Sequence, residues 1–257
     1  MSEDKACDEE ESKNIKLTAF NLLRLLKFFY SFKELERRIG VPSQVLWRYV
    51  TLRATPERDT AQKILARIEE QKLVEEAISE VILESKEPWL LLSNPGILEL
   101  SALKLVEEFG RSKAEVVLST PDPYSAALAA VASIYLKARL CIPSRILYSN
   151  SVIVESYEAS SGVLDVIAIP RKSVPNKSKV LITTMTMHLP PLGAAINLVL
   201  KSGSELVGVF SVVGGKEEIK ELTNLLRNRI GREVPVVTLV EGKLLTGYTD
   251  AMHTKQL

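Results

Sequence analysis

Residues 117–140 read VLSTPDPYSAALAAVASIYLKARL, and this stretch decides the fold class of most of the chain. It begins within a short apolar run, Val116–Leu118, passes through a polar loop with two prolines, and continues with helical spacing near residues 125–137. A short, fully apolar run bounded by turn residues is typical of a buried strand. The stretch therefore predicts one strand-loop-helix unit of a parallel sheet.

The same alternation continues along the chain. Further helical stretches, near residues 97–109, 191–202 and 216–230, separate further apolar runs. Because such strands must be covered on both faces, we expect an α/β fold with a mostly parallel sheet flanked by helices, over residues 76–257. The apolar runs are Trp89–Leu92, Val152–Val154, Val163–Ile169, Val180–Ile182, Leu206–Phe210 and Val234–Leu239.

The first part of the chain is helical instead, and residues 31–50 read SFKELERRIGVPSQVLWRYV. Ser31 stands three residues before Glu34, the spacing of a capping box that begins a helix. Gly40 ends this helix, and Ser43 is placed to cap the next one. A short helix, a glycine turn and a capped helix in this order predict a helix-turn-helix.

The neighbouring segments complete a small all-α domain over residues 14–75. Apolar residues recur with helical spacing over about residues 16–29, and a fourth helix is expected with Pro56 in its first turn. Residues 1–13 are acidic and without periodicity, which predicts a disordered tail. We place the junction between the two domains around residues 74–86.

The charge is unevenly distributed, although the whole chain carries only +1. Residues 1–13 hold six acids and two lysines, a net charge of −4. Residues 14–54 hold eight lysines and arginines and two glutamates, a net charge of +6. Clustered positive charge is typical of proteins that bind polyanions, and the alternative is an ordinary solvated helical surface.

We expect the polyanion to be double-stranded DNA, because the second helix of a helix-turn-helix lies in the major groove of DNA. Glutamine and arginine on this helix can read adenine and guanine, and nearby cations can contact phosphates. The expected readers are Ser43, Gln44, Trp47 and Arg48. The expected phosphate anchors are Lys33, Arg37, Arg38 and Arg53. Alternatively, Trp47 is half-buried against the first helix, and Arg37 and Arg38 are solvated charges.

A family resemblance covers about residues 17–240. The chain resembles archaeal transcriptional regulators that fuse a helix-turn-helix to a domain similar to orotate and purine phosphoribosyltransferases. The order and spacing of four stretches carry the resemblance: residues 31–50, residues 117–140, VIVESYEASSGVLDVIAIPRKSVPNKSKVLI over residues 152–182, and GSELVGVFSVV over residues 203–213. The resemblance implies a purine-metabolism context.

The resemblance also implies where a ligand would bind. The pyrophosphate loop corresponds to residues 119–125, and a mobile hood loop corresponds to Tyr157–Gly162. The strand after Pro170 and Arg171 should lead into a ribose-phosphate loop. The implied contacts are Ser119, Thr120, Asp122, Tyr124 and Ser125 in the first loop, and Thr183, Thr184, Thr186 and His188 in the last.

The last loop departs from the family pattern. Active members end this strand with two adjacent acids, whereas this chain has Thr184 and Met185. Pro190 and Pro191 stand where glycines are expected before a helix that starts near Leu192, and a proline has no N–H to offer a phosphate. We therefore predict that the domain is not an enzyme. The alternatives for individual residues are that His188 is a turn residue and that Asp122 only forms a turn.

The remaining features of the composition point to no other chemistry. The two cysteines, Cys7 and Cys141, are far apart, and no apolar run reaches membrane-spanning length. We expect no metal, no cofactor and no membrane contact. The sequence predicts a cytoplasmic, homodimeric DNA-binding regulator whose second domain serves dimerisation and senses a nucleotide or phosphate-containing effector. The alternatives are a divergent phosphoribosyltransferase and a DNA-associated structural protein without an effector.

Overall fold

The computed structural model describes residues 2–84, 94–145, 151–159 and 162–242, with the side chains of residues 2–11 and 82–84 left aside. The chain separates into two compact units, Met1–Glu84 and Ser85–Leu257. The strand expected at Trp89–Leu92 lies outside the described residues. No helix among those described combines the length and the apolar character that a membrane span requires.

Unit 1 is helical. Its core is formed by leucines and isoleucines that one face of each helix turns inward, among them Leu23, Leu35, Leu46, Ile64 and Ile78. The helices are α1 (Ser2–Leu26), α2 (Phe32–Ile39), α3 (Ser43–Val50), α4 (Arg58–Glu70) and α5 (Leu73–Glu84).

The start and end of α2 follow from its flanking residues. The Ser31 hydroxyl accepts a hydrogen bond from the Glu34 N–H, and the Glu34 carboxylate accepts one from the Ser31 N–H, which completes the capping box. These bonds hold the pKa of Glu34 below its ordinary value. Gly40 has a φ of 78°, the left-handed conformation that glycine adopts without strain, and it ends the helix.

Three helix boundaries differ from the sequence predictions. Helix α1 begins at Ser2, where we expected a disordered tail, since Glu, Lys and Ala are good helix formers and acids favour the N-terminal turns. Ser43 is the first residue of α3 and Pro42 takes the cap position. Pro56 precedes the cap residue Glu57, so it lies outside α4 instead of in its first turn.

The boundary between the units also differs, since we had ended the first domain at residue 75. Helix α5 belongs to unit 1 because Leu73, Val74, Ala77 and Ile78 are fully buried there. A helix that buries its apolar face against α1 and α4 cannot be divided between two domains.

Unit 2 contains a five-stranded parallel sheet of order β2-β1-β5-β6-β7 and a two-stranded antiparallel ribbon, β3-β4. The strands are β1 (Val116–Ser119), β2 (Arg139–Cys141), β3 (Val152–Glu158), β4 (Leu164–Pro170), β5 (Lys179–Thr186), β6 (Glu205–Gly214) and β7 (Val236–Glu241). The helices are α6 (Pro95–Phe109), α7 (Pro123–Leu136), α8 (Leu189–Lys201) and α9 (Lys216–Ile230), and a 3-10 turn spans Gly110–Ser112.

The central strands β1, β5 and β6 are buried, which explains their continuous apolar runs. Helices α7, α8 and α9 begin where β1, β5 and β6 end. Because all five strands are parallel, these helix N-termini meet at one carboxyl edge of the sheet, the edge at which open α/β sheets bind ligands. Of the expected hood loop, Tyr157 and Glu158 belong to β3, and residues 160–161 lie outside the described residues.

Candidate functional site

Helix α3 of unit 1 presents one polar, exposed face. Gln44, Trp47 and Arg48 have the i, i+3, i+4 spacing that brings side chains together on a helix, and all three are exposed. Leu46 points the other way and is fully buried. The helix is therefore anchored by its apolar side and offers an amide, an indole and a guanidinium to the surroundings.

Arg53 extends this face beyond the end of α3. Its guanidinium carbon lies 4.6 Å from the centre of the Trp47 ring, within the range of a cation–π contact. The Thr51 hydroxyl donates to the Trp47 carbonyl at 2.7 Å, and the Arg53 N–H donates to the Arg48 carbonyl at 2.9 Å. These bonds fold the chain back after α3, so that Arg53 lies over the indole.

The predicted anchors on α2 divide into two groups. Lys33 and Arg37, four residues apart, are exposed on one face. Arg38 instead turns towards α5, where its two terminal nitrogens lie 2.5 and 2.6 Å from the Glu76 carboxylate oxygens. Its guanidinium also lies 5.2 Å from the centre of the Tyr30 ring.

Arg38 therefore joins α2 to α5, where we had expected a phosphate anchor. The Gln71 amide, at the C-terminal cap of α4, donates to the Arg38 carbonyl at 2.9 Å and links α2 to the end of α4. The guanidinium holds the pKa of Glu76 below its ordinary value, while burial, with a smaller effect of the Glu76 charge, raises the pKa of Tyr30. The sequence did not reveal this role because the partner acid is 38 residues away.

Ser43 contributes its backbone to the structure of the turn. Its N–H donates to a carboxylate oxygen of Glu36 at 3.1 Å, and its side chain is half-buried at the start of α3. Of the eight residues that we expected to contact DNA, six remain exposed in the structure. These six are Lys33, Arg37, Gln44, Trp47, Arg48 and Arg53.

In unit 2, a cluster of three hydroxyls links β1 and α7 to β5 at the carboxyl edge. We call this group, Thr120, Ser125 and Thr184, the hydroxyl cluster. Thr120 Oγ1 lies 2.9 Å and Ser125 Oγ lies 3.3 Å from Thr184 Oγ1. The Met185 N–H donates to Ser125 Oγ at 2.9 Å. The structure thus brings together residues from both loops that the resemblance implied.

Asp122 occupies the N-terminus of α7. Its Oδ1 accepts hydrogen bonds from the N–H groups of Tyr124 at 3.1 Å and Ser125 at 2.8 Å, and its Oδ2 accepts one from the Thr120 hydroxyl at 2.8 Å. An aspartate at the cap position followed by Pro123 at the first helical position is a strong start signal. The carboxylate therefore takes the N–H groups that a bound anion would otherwise use.

The hydroxyl protons of this cluster are all committed. The Thr184 hydroxyl donates to the Thr186 carbonyl at 2.7 Å, so it can only accept from its two neighbours. The Ser125 hydroxyl therefore donates to Thr184, and the single Thr120 proton is shared between the Asp122 carboxylate and Thr184 Oγ1. The cluster thereby fixes the relative position of the two loops.

Ser119 and Thr183 face away from the cluster. They are register neighbours on β1 and β5, and both are fully buried. Among the described residues, neither hydroxyl oxygen has a hydrogen-bond partner. A buried hydroxyl without a hydrogen-bond partner costs free energy, so each of these two side chains lowers the stability of unit 2.

His188 takes the cap position of α8 and lies close enough to Asp122 for the two charges to interact. Burial lowers the pKa of its imidazole, and the nearby Asp122 carboxylate opposes this shift. Helix α8 begins at Leu189, three residues before the expected start, because prolines are well suited to a first turn. Pro190 and Pro191 leave Leu189 as the N–H donor among the first three residues of the helix.

No protein-family model and no curated protein sequence matches the chain. Solved structures do match it. Adenine phosphoribosyltransferase from Trypanosoma brucei, in complex with AMP, pyrophosphate and ribose-5-phosphate, is 17% identical with a TM-score of 0.53, over 66% of this chain and 76% of that one. The enzyme from Leishmania donovani is 16% identical with a TM-score of 0.51, over 61% and 70%. The enzyme from Rhodothermus marinus is 22% identical with a TM-score of 0.47, over 59% and 83%.

The Trypanosoma brucei and Leishmania donovani structures contradict the prediction that the chain is not an enzyme, because both are adenine phosphoribosyltransferases, which are enzymes. That prediction depended on two missing acids and two prolines in one loop. The fold is determined by the order and register of the whole sheet, and the loop sequence does not change it. The structural similarity supports an α/β phosphoribosyltransferase type I fold, with a mostly parallel sheet flanked by helices. Because the sequence identities are only 17% and 16%, the similarity shows the fold alone.

Proposed function

We propose that the chain is a cytoplasmic DNA-binding regulator, in which unit 1 binds double-stranded DNA as a helix-turn-helix and unit 2 dimerises and binds a nucleotide-related ligand. The exposed face of α3 is the observation that carries this proposal. Gln44 and Arg48 are the side-chain types that form bidentate pairs with adenine and guanine, and they lie together on a helix whose other side is buried.

The charge around α3 supports the same proposal. Arg53 beside Trp47, and Lys33 with Arg37 on α2, provide exposed cations close in sequence to the reading face. Such cations bind phosphates, release condensed counterions and set the register of a helix in the groove. A dimer would place two copies of α3 about 34–36 Å apart, one helical turn of DNA, and would double the contact.

The test is fluorescence anisotropy of the full chain with the duplex upstream of its own coding sequence and with a shuffled duplex, at two salt concentrations. We expect native protein to prefer the upstream duplex. The double variant Gln44→Ala/Arg48→Ala should lose this preference, at about 1–3 kcal/mol for each base contact. The matched control Arg67→Ala removes an exposed arginine from α4, whose ion pair with Glu70 is a surface contact.

Two results would contradict DNA reading by α3. One is equal binding of both duplexes by native protein at all salt concentrations. The other is an unchanged preference in the double variant. A loss of affinity in Arg67→Ala as large as in the double variant would show that net charge, and not the α3 face, determines binding.

A second candidate function is phosphoribosyl transfer to a nucleobase by unit 2. Its supporting observation is the shared fold, together with the hydroxyl cluster and Asp122 at the carboxyl edge, where this fold class binds ligands. The test is incubation with adenine, phosphoribosyl pyrophosphate and Mg²⁺. Formation of AMP and pyrophosphate in equal amounts would support it, and absence of both products would remove it. The two functions are compatible, because different units would perform them.

A further inference from the structure

The amino edge of the main sheet, opposite the hydroxyl cluster, carries a concentration of positive charge. The chain enters β2, β1 and β5 at this edge, and these three strands are neighbours in the sheet. Residues 111–115, 137–139 and 171–179 lead into them, and we call these three segments the amino-edge patch. The patch holds eight lysines and arginines and one glutamate, a net charge of +7, whereas the whole chain carries only +1.

Three lysines of the patch have a backbone conformation that lysine does not favour. Lys113, Lys137 and Lys177 have φ angles of 54°, 53° and 64°, in the left-handed region, and all three are exposed. A residue with a Cβ costs free energy in this region, whereas glycine adopts it without strain. In the described part of the chain, four of the five non-glycine residues with positive φ are lysines, and three of these lie in the patch. The repeated choice of lysine at one edge indicates that its charge is used.

The strand register places these three lysines in a row. The Glu115 N–H donates to the Lys179 carbonyl at 2.8 Å, and the Arg139 N–H donates to the Glu115 carbonyl at 2.8 Å. Each of the three lysines precedes one of these paired residues by two positions. Because neighbouring strands lie about 4.8 Å apart, the row is about 10 Å wide.

A side-chain contact extends the row beyond β2, the edge strand. The Arg139 guanidinium donates to the Lys172 carbonyl at 2.9 Å, which places the segment of Arg171 and Lys172 beside β2. Both of these side chains are exposed. The patch therefore continues as a line of cations past the last strand of the sheet.

Few acids offset this charge. Glu107 pairs with Lys104 at 3.2 Å, and Glu205 pairs with Arg232 at 2.9 Å, so both acids are bound to cations outside the patch. The Glu115 carboxylate accepts a hydrogen bond from the Lys179 N–H at 2.9 Å. Glu108, exposed at the end of α6, offsets one further charge. The patch keeps a large excess of positive charge.

We propose that the amino-edge patch binds the sugar-phosphate backbone of double-stranded DNA. Phosphates of one DNA strand follow one another about every 3.4 Å along the helix axis, so a row about 10 Å wide faces about three of them. Lysine suits this contact because its ammonium is a point charge on a flexible stem and reads no sequence. The proposed function assigns DNA binding to unit 1, and this contact goes beyond it, since unit 2 would hold the duplex without regard to sequence.

The test replaces the strained lysines with glycine, in Lys113→Gly/Lys137→Gly/Lys177→Gly. This variant loses three charges and relieves three strained positions, so its urea unfolding should show a stability equal to or above that of native protein. Anisotropy of the full chain with the shuffled duplex, between about 0.05 and 0.3 M salt, measures the binding constant. Each lost phosphate contact should lower this constant about eightfold at 0.1 M salt, so two to three contacts amount to about 50-fold or more. The salt dependence should become smaller by the same two to three contacts.

Two controls separate the position of the charge from its amount. The same three lysines replaced by arginine, in Lys113→Arg/Lys137→Arg/Lys177→Arg, keep the charge and should bind the duplex as native protein does. Lys216→Gln/Lys220→Gln/Arg227→Gln removes three exposed cations from α9 and should weaken binding far less than the glycine variant.

Three results would overturn the amino-edge patch as a DNA-binding surface. They are a glycine variant with native affinity and native salt dependence, an equal loss of affinity in the α9 variant, and stronger competition by single-stranded RNA than by unlabelled duplex. Failure of the proposed function gives a different result. Native protein without preference for the upstream duplex, whose affinity still falls in the glycine variant, would contradict reading by α3 and support the patch.

Discussion

Two adjacent arginines on α2 should respond in opposite ways to substitution. Arg38 makes two hydrogen bonds to Glu76 and lies over the Tyr30 ring, whereas Arg37 is exposed. Arg38→Ala should therefore reduce the stability of unit 1 with little direct effect on DNA contacts. Arg37→Ala should reduce DNA affinity and leave stability unchanged.

The magnitude follows from the geometry. Hydrogen bonds between charged groups contribute about 1.5–3 kcal/mol when they are shielded from water. The Arg38 and Glu76 side chains are 26% and 33% exposed, so solvent screening reduces the contribution to about 1–2 kcal/mol. The stacking on Tyr30 adds about 0.5 kcal/mol. We expect Arg38→Ala to lower the free energy of unfolding by about 2 kcal/mol, and Arg37→Ala to change it by less than about 0.5 kcal/mol.

Urea unfolding followed by the fluorescence of Trp47, in a Trp89→Phe background, reports on unit 1. Glu76→Ala and the double variant Arg38→Ala/Glu76→Ala complete a mutant cycle, in which the pair should show a coupling of about 1–2 kcal/mol. Anisotropy at several salt concentrations gives the salt dependence of the DNA-binding constant. This dependence should be smaller for Arg37→Ala than for native protein, by the equivalent of about one phosphate contact. If Arg38→Ala unfolds at the native urea concentration while Arg37→Ala is destabilised, the assignment of the two residues is refuted.

Three further predictions concern unit 2. Asp122→Ala should lower its free energy of unfolding by about 1 kcal/mol, because α7 loses its cap, and a urea transition equal to native would contradict this role. Since burial lowers the pKa of His188, its contribution to stability is complete above the ordinary value of 6.5 and is lost as pH falls through the folded pKa. In urea titrations, the free energy of unfolding should therefore fall less steeply below about pH 6.5 in His188→Gln than in native protein. Equal dependence on pH in the two proteins would refute this. A Cβ on Gly208 would overlap the Phe109 ring, so Gly208→Ala should lower the free energy of unfolding by about 1–3 kcal/mol. Phe109→Leu should partly restore the stability of this variant. If the effects of the two substitutions on the free energy of unfolding in urea are additive, the overlap is contradicted.

The sequence predicted the elements of unit 2 well because their patterns are local. The buried runs at Val116–Leu118 and Val180–Ile182 lie within β1 and β5, and the helical spacing near residues 216–230 coincides with α9. Each of these patterns is complete within one element. Strand order was not predicted, since it depends on which strands meet across the sheet, and a local pattern does not contain this information.

The site depends on contacts between distant residues, which no local pattern contains. The links from Thr120 and Ser125 to Thr184 span 64 and 59 residues. Asp122 shows the difference between local and distant information. An aspartate before Pro123 is a recognisable helix cap in the sequence, whereas its bond to the Thr120 hydroxyl appears only in the folded loop. The acidic start of the chain was misjudged for a different reason, since low hydrophobicity suggested disorder and the helix propensity of its residues was not weighed.

Asp122 also determines what a phosphate-bearing ligand must do at the carboxyl edge. The N–H groups of Tyr124 and Ser125 already bind its carboxylate, so an anion at the N-terminus of α7 must displace it and forgo about 1 kcal/mol, a factor of about five in affinity. Displacement would also release the Thr120 hydroxyl, which lies between Asp122 and Thr184 of β5. Ligand binding would therefore exchange one arrangement of the two loops for another. A ligand can influence a distant site only through its different affinity for two such arrangements, and the Asp122 cap is the element of this edge that provides them.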